Sequence, residues 1–332
     1  MAFDNLKLDK SLYSAGQSFT QALEGADPSE QYRGTPLGEL DAYERQLKRF
    51  GIRVSGAGSD RVEKFFRSSE TATLFPEYIA RAVRQGLERA DVLPGITAAT
   101  TQVNGLDYRS ISAAAGTGDP DAAVLEGDSL PETTLRTKES LVTMKKRGRL
   151  LSASYEAVRF HRLDLFTVTL RHIGATIAKT LLADAVDVLI NGDGSSGTTA
   201  GTVSMSGGNI AYADLISLWN SFDPFEMTTI LASAAQMEEL LALDEMRDAA
   251  AGLNFHGAGR MITPLGAELI KSAAVPAGKI VALDKNCALE MVKAGEIVTD
   301  YDKLIDRQLD RAAISATVGF AKLFPGAAKV LQ

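Results

Sequence analysis

Residues 164–192 read DLFTVTLRHIGATIAKTLLADAVDVLING. Phe166, Leu170, Ile173, Ile177, Leu181, Ala185 and Leu189 recur at intervals of three and four, the spacing that lines one face of an α-helix. Asp164 stands where an N-cap would accept the first free amides, and Asn191-Gly192 supplies a stop. At ~1.5 Å per residue such a helix is roughly 40 Å long, unusual for a compact domain and suited to be the backbone of a flat, extended molecule.

Upstream, residues 117–129 are rich in Gly, Asp and Ala, and residues 132–152 turn extended, with Leu135, Leu141, Leu150 and Leu151 set among Thr, Lys and Arg. A long two-sided hairpin with little core of its own fits this pattern. Lys145-Lys146-Arg147-Gly148-Arg149 is the densest basic run, and Glu126, Asp128, Glu132 and Glu139 lie in the same segment. A solvated hairpin is the plain reading. A ribbon carrying both signs also suits lying across a neighbouring copy, where complementary potentials fix register more than they add affinity. On that view, deleting residues 130–148 leaves a folded subunit.

Downstream of the glycine-rich break 192–208 come signals for a helix over 212–222, a strand over 228–232 and a helix over 233–243. Short strands are expected at Met261-Ile262, 279–283 and 288–292, with a helix over 264–272, then extended segments at 313–320 and 324–331. This is an α+β or α/β alternation. Residues 1–60 read as a weakly ordered arm broken by Gly25, Pro28, Gly34, Pro36 and Gly38, with one helix over 37–50 and a linker over 54–60. The body begins near Phe65, with a helix over 77–90 and a strand over 97–103.

The chain has 332 residues, 45% hydrophobic and 23% charged, enough for a sizeable core and two domains. No apolar run approaches the ~20 residues a membrane helix needs. The N-terminus lacks a basic patch followed by an apolar stretch, which predicts synthesis and retention in the cytoplasm. Cys287 is the one cysteine and excludes an intrachain disulfide; its apolar neighbours predict a buried, inert thiol. The net charge of −7 argues against general affinity for nucleic acid, and a container for DNA would benefit from the same repulsion.

Motif chemistry is thin. His161, His172 and His256 are scattered, without metal spacing. Gly192-Asp193-Gly194-Ser195-Ser196-Gly197 follows a helix rather than a strand and lacks the Gly-Lys-Ser/Thr ending of a phosphate loop. Glu238, Glu239, Asp244, Glu245 and Asp248 read as one solvated helical face. No Gly-x-Ser-x-Gly elbow occurs. No cofactor, metal or catalytic residue is assigned.

The order of features resembles the major capsid proteins of tailed bacteriophages, the Hong Kong 97-type capsid fold. The likeness rests on Leu125-Glu126-Gly127-Asp128-Ser129-Leu130-Pro131-Glu132, Lys145, Leu150-Leu151-Ser152-Ala153-Ser154-Tyr155-Glu156, the long helix, Asn191-Gly192-Asp193-Gly194-Ser195, and Ile314 to Phe320 with Pro325 and Ala328. It covers about residues 65–332.

The resemblance implies an α+β fold with a peripheral domain, a long spine helix, an extended loop hairpin and an axial domain. The divisions it implies are an N-terminal arm (1–64), the start of the peripheral domain (65–116), the extended loop (117–152), spine helix and peripheral domain (153–208), the axial domain (209–290) and a C-terminal return (291–332). Intersubunit contacts then fall to Glu126, Asp128, Glu132, Leu135, Lys138, Leu141, Lys145, Lys146, Arg147 and Arg149. Phe166, Leu170, Ile173, Ile177, Leu181 and Leu189 form the spine.

The implied function is a non-enzymatic shell subunit that forms pentamers and hexamers and encloses packaged DNA in a virion. Its implied partners are other copies of itself, a separate scaffolding protein, a portal protein and a decoration protein, with no membrane. One branch of the family joins subunits by a Lys to Asn isopeptide bond; Lys138, Lys145 and Lys146 lie in the corresponding loop, no Asn partner is identified, and crosslinking is not expected. The alternatives are a bacterial nanocompartment shell of the same fold, and an α/β enzyme with a site invisible to motifs.

Overall fold

The computed structural model describes residues 2–13, 18–115, 123–125, 130, 133–247, 261–295 and 297–332. Along the chain run α1 (Phe19–Ala26), α2 (Ala42–Arg49), α3 (Ser69–Thr73), α4 (Phe75–Ala90), β1 (Ala99–Val103), β2 (Ile111–Ala115), β3 (Thr133–Thr137), β4 (Lys145–Ser154), α5 (Tyr155–Phe160) and α6 (Leu163–Asn191). Then follow β5 (Gly201–Val203), α7 (Tyr212–Asn220), β6 (Thr229–Ala232), α8 (Ala234–Ala242), α9 (Asp244–Arg247), β7 (Glu268–Lys271), β8 (Ile280–Leu283), β9 (Leu289–Ala294), β10 (Val298–Leu304), β11 (Leu309–Lys322) and β12 (Ala328–Leu331).

The long helix is α6, 29 residues or about 44 Å at ~1.5 Å per residue. Its expected stripe is in place: Leu170, Ile177, Leu181, Ala185 and Leu189 are buried, and Phe166 and Ile173 are half-buried. It begins one residue before Asp164, so that carboxylate lies in the first turn and accepts from Leu165 N at 2.9 Å rather than capping. Gly192 ends the helix in the left-handed region at φ 88°, where glycine carries no Cβ penalty.

Two compact units emerge, and α6 contributes to both. The first comprises Met1–Ala90, Gly148–Ala178 and Ile297–Ala316. Residues 18–52, expected as a weakly ordered arm, are packed in it. Ser18 and Asp41 cap α1 and α2 through reciprocal boxes with Gln21 and Glu44, and Phe19, Leu23, Tyr32, Tyr43 and Leu47 are buried. Arg45, fully buried, donates from Nε to Asp27 Oδ2 at 2.8 Å and from Nη1 to Leu40 O at 2.6 Å. The expected helix over 37–50 shortens because Asp41 sets its start. The supposed linker 54–60 is a tied turn: Arg53 N donates to Asp60 Oδ2 at 2.7 Å, and Arg162 Nη2 to Ala57 O at 2.6 Å.

The centre of this unit is aromatic. Phe75 lies 5.4 Å from Phe65, 6.2 Å from Phe166 and 5.7 Å from Tyr301, ring to ring. Tyr78 OH donates to Leu163 O at 2.8 Å, pinning α4 to the start of α6.

The second unit comprises Asp91–Arg147, Lys179–Glu296 and Thr317–Gln332. Its five-stranded sheet has the order β5-β12-β8-β6-β7. β6 and β8 are buried at every residue, as expected of central strands covered on both faces. Leu215, Leu218 and Phe222 of the α7 region and Met237 and Leu240 of α8 pack on that sheet. A second sheet places β9 between β1, parallel, and β11, antiparallel.

Several sequence expectations change here. Residues 264–272 are not a helix: Gly266 turns the chain at φ 89°, and β7 pairs in parallel with β6, burying Ala267 and Leu269. Four apolar-patterned residues are too few for periodicity to distinguish helix from strand, and the sheet partner decided. Met261-Ile262 makes only a single bridge, Ile262 to Glu268. β2, β5 and β10 were not anticipated. Cys287 is half-buried rather than buried, its thiol pushed up by burial and by Asp284.

The expected hairpin also differs. Its ladder pairs residues 111–115 with 133–137, so it opens before residue 117, and β4 pairs with β11 instead of continuing it. His256, Asp248 and most of 116–132 lie outside the described residues.

Candidate functional site

The legs of the β2–β3 hairpin stand on three buried carboxylates of the second unit. The first is Glu290, in an otherwise apolar stretch of β9 and 4% exposed. Thr101 Oγ1 and Tyr108 OH donate to its Oε1 at 2.6 and 2.7 Å, and Ser110 Oγ donates to its Oε2. Burial first, then the bond to Glu290, pushes the Tyr108 phenol up. The incoming leg is thus fixed at 108–110. The outgoing leg ties to it through Lys138 N to Ser110 O and Val142 N to Tyr108 O, both 2.8 Å.

The second is Asp193, in the glycine-rich turn after α6. Lys138 Nζ donates to Oδ2 at 2.7 Å, Lys322 N to the same oxygen at 3.0 Å, and Ser195 N to Oδ1 at 3.0 Å. Burial alone would raise its carboxyl; hydrogen bonds from Lys138, Ser195 and Lys322 outweigh that and hold it well below the usual range. Beside it Lys322, fully buried, donates from Nζ to Leu189 O at 3.2 Å, a cation at the negative end of α6. Burial pulls its ammonium down to about 8. The turn therefore serves as an anchor built on Asp193.

The third is Asp184, within α6 and 7% exposed. Arg147 donates from Nε to Oδ2 at 2.7 Å and from Nη2 to Oδ1 at 2.6 Å, while Lys145 Nζ donates to Oδ1 at 3.0 Å. Burial opposes ionisation, and the bonds from Arg147 and Lys145 overcome it, lowering the Asp184 carboxyl. Two residues apart on β4, the two cations share one face of the strand, and Lys146 between them is exposed.

Of the other residues singled out in the sequence, Leu135 and Leu141 are 69% and 47% exposed, and Arg149 is exposed. Leu130 is 77% exposed. Glu126, Asp128 and Glu132 lie outside the described residues. Sequence reading missed all three carboxylates, although a signal existed. Asp184 sits three residues after Leu181 on the helix's buried stripe, and Glu290 interrupts Ala288–Val292; a charge where an apolar side chain is expected has a partner.

Elsewhere in this unit Ala234, Met237, Glu238, Leu241, Ala242, Arg247 and Lys271 line an open depression of about 530 Å³. Among the described residues no cluster of His, Cys, Asp and Glu could hold a metal ion, and no helix is long and apolar enough to cross a membrane.

The family model described as phage capsid protein matches residues 137–327, more than half of the chain and including Lys138, Asp184, Asp193, Glu290 and Lys322. The chain belongs to this family. Solved structures agree on the fold. Microbacterium phage Oxtober96 matches with a TM-score of 0.54 at 10% identity, covering 73% of this chain and 90% of that one. The virus-like particle of Pyrococcus furiosus matches with a TM-score of 0.52 at 11% identity, covering 77% and 98%. The capsid of a native GTA particle matches with a TM-score of 0.51 at 16% identity, covering 74% and 89%. No curated protein matches in sequence. As a capsid-family chain it is a shell protein, and its three carboxylates hold the base of a hairpin.

Proposed function

We propose that this chain is the major capsid protein of a tailed-phage or prophage head, a structural subunit without catalysis. Copies of it associate through pentamers and hexamers into a closed icosahedral shell around packaged DNA. The observation that carries this reading is the hairpin region: Ile111, Leu130, Leu135 and Leu141 are each roughly half exposed or more, apolar side chains that assembly would cover. Residues 117–152 then act as the extended loop, the α6 region as the spine and residues 209–290 as the axial domain. Head-to-tail contacts around rotation axes close into rings, and many modest contacts make the shell cooperative. The net charge of −7 suits a wall that encloses DNA without gripping it. The partners on this reading are other copies, a separate scaffolding protein, a portal protein and a decoration protein, and the mature location is the virion.

Negative-stain microscopy of the purified protein, alone and with a co-expressed scaffolding protein, tests this. Closed particles are expected; monomers under every condition would overturn it. The likeness to the virus-like particle of Pyrococcus furiosus favours one second reading, a nanocompartment shell. Neighbouring portal and terminase genes support the phage head, and a neighbouring cargo-enzyme gene supports the compartment.

A further inference from the structure

The second unit carries an apolar projection and an apolar depression at two separate places. On α7, Ile216 and Trp219 stand one turn apart and remain 39% and 48% exposed, while Leu215 and Leu218 on the other side of the helix are buried. Trp219 is the chain's one tryptophan. Asp223, exposed, follows in the turn after that helix. The depression lies along α8, with Met237 and Leu241 as apolar lining and Glu238, Arg247 and Lys271, all exposed, around them. Its volume of about 530 Å³ leaves room for a large side chain.

Both helices cover the sheet face that carries Ile230, Ala282 and Leu331, α7 over β12 and α8 over β6. Lys271 ends the edge strand β7, and β12 is three strands in from it, roughly 14 Å at ~4.8 Å per strand. Trp219 accordingly does not line the depression of its own chain. Tryptophan and arginine are the side chains that most often dominate a contact between proteins, and an indole face attracts a guanidinium. The charges also match: the projection carries Asp223, and the depression carries two cations against one carboxylate.

Resting on the shell reading, we propose that Ile216 and Trp219 of one copy seat in the α8 depression of the next, the indole against Arg247 and Asp223 opposite Lys271. The occupant is a second copy because every chain offers both halves at different places. Such a contact is head-to-tail, so it passes from copy to copy and closes into a ring where its rotation divides a full turn.

The emission of the one tryptophan reports on this contact in the unmodified protein. Acrylamide quenching should fall several-fold from free subunits to assembled particles. Crosslinking identifies what covers the ring: in full-length protein with Cys287→Ser, Asn220→Cys and Glu238→Cys place thiols beside the projection and the depression. A short bismaleimide should join assembled copies into a ladder running to pentamer and hexamer, whereas either cysteine alone gives at most dimers. Should that variant fail to fold or assemble, charge reversal replaces it. Asp223→Lys and Lys271→Glu should each cut particle yield by about tenfold, and the two together should restore it. Unchanged quenching, particles without the ladder, or a double reversal no better than either single one overturns this inference alone. Absence of particles from the unmodified protein overturns the shell reading and this inference with it.

Discussion

Gly86 of α4 and Gly174 of α6 mark the crossing of the two helices, and neither position has room for a methyl group. A Cβ on Gly86 would fall 2.0 Å from Arg171 O, and one on Gly174 would fall 2.0 Å from Val83 O. Backbone, not a flexible side chain, occupies the space. In an open helix Gly to Ala stabilises by about 1 kcal/mol. Here Gly174→Ala is expected to destabilise by ~1–3 kcal/mol as the helices are pushed apart. Urea midpoints should fall for Gly86→Ala and Gly174→Ala, and rise slightly for Gly25→Ala, where nothing lies within 4 Å.

The buried pair Arg45–Asp27 gives a second expectation. Both side chains are fully buried, and Tyr32 OH also donates to Asp27 at 2.5 Å. Removing one partner strands the other charge, so Arg45→Met should cost about 3–5 kcal/mol. Equilibrium denaturation measures it; a change below ~1 kcal/mol would show that residues 18–52 fold independently of this contact.

Lys322 makes stability pH-dependent on the alkaline side. Its folded value of about 8 lies below the ordinary 10.5, so the folded chain holds this proton less tightly than the unfolded one. The stability penalty is full below pH 8 and is relieved as pH rises towards 10.5, by at most about 3 kcal/mol. Lys322→Met should be flatter than the unmodified protein in urea titrations between pH 8 and 10. Equal slopes would reject the assignment.

Asp193 acts at the acid end, where stability again rises with pH, here because its charged form is the stabilised one. Its carboxyl is held low when folded, so its contribution is complete above the ordinary carboxylate range near 4 and is lost as pH falls below it. Asp193→Asn should lose about 3 kcal/mol at pH 7 by breaking the buried pair with Lys138. It should then lose less than the unmodified protein between pH 5 and 2.5, as followed by circular dichroism.

Trimming the hairpin separates its tip from its base. Val142 is buried against Val292 and Ala321, so deletion of residues 130–148 removes core and should unfold the second unit, contrary to the expectation from sequence. Replacing residues 112–136 by a short glycine turn stays beyond the bond of Lys138 N to Ser110 O. That variant should melt near the temperature of the intact protein and form no shells under microscopy.

The sequence by itself determined the parts whose physics is local. The 3–4 spacing from Phe166 to Leu189 and the glycine after Asn191 specify α6 without reference to anything distant, and the order of loop, helix and glycine turn already pointed to the capsid family. Capping boxes at Ser18 and Asp41 were equally written in neighbouring residues, and only their packing turns residues 18–52 from arm into core. Tertiary structure alone decided the rest. β7 is a strand because β6 offers a parallel edge some forty residues earlier, and β2 is one because Thr133–Thr137 returns to it. Asp184, Asp193 and Glu290 acquire their roles from cations and hydroxyls 37 to 189 residues away. A buried carboxylate is tolerable only where such partners converge, and that convergence is a property of the folded chain rather than of any window along it.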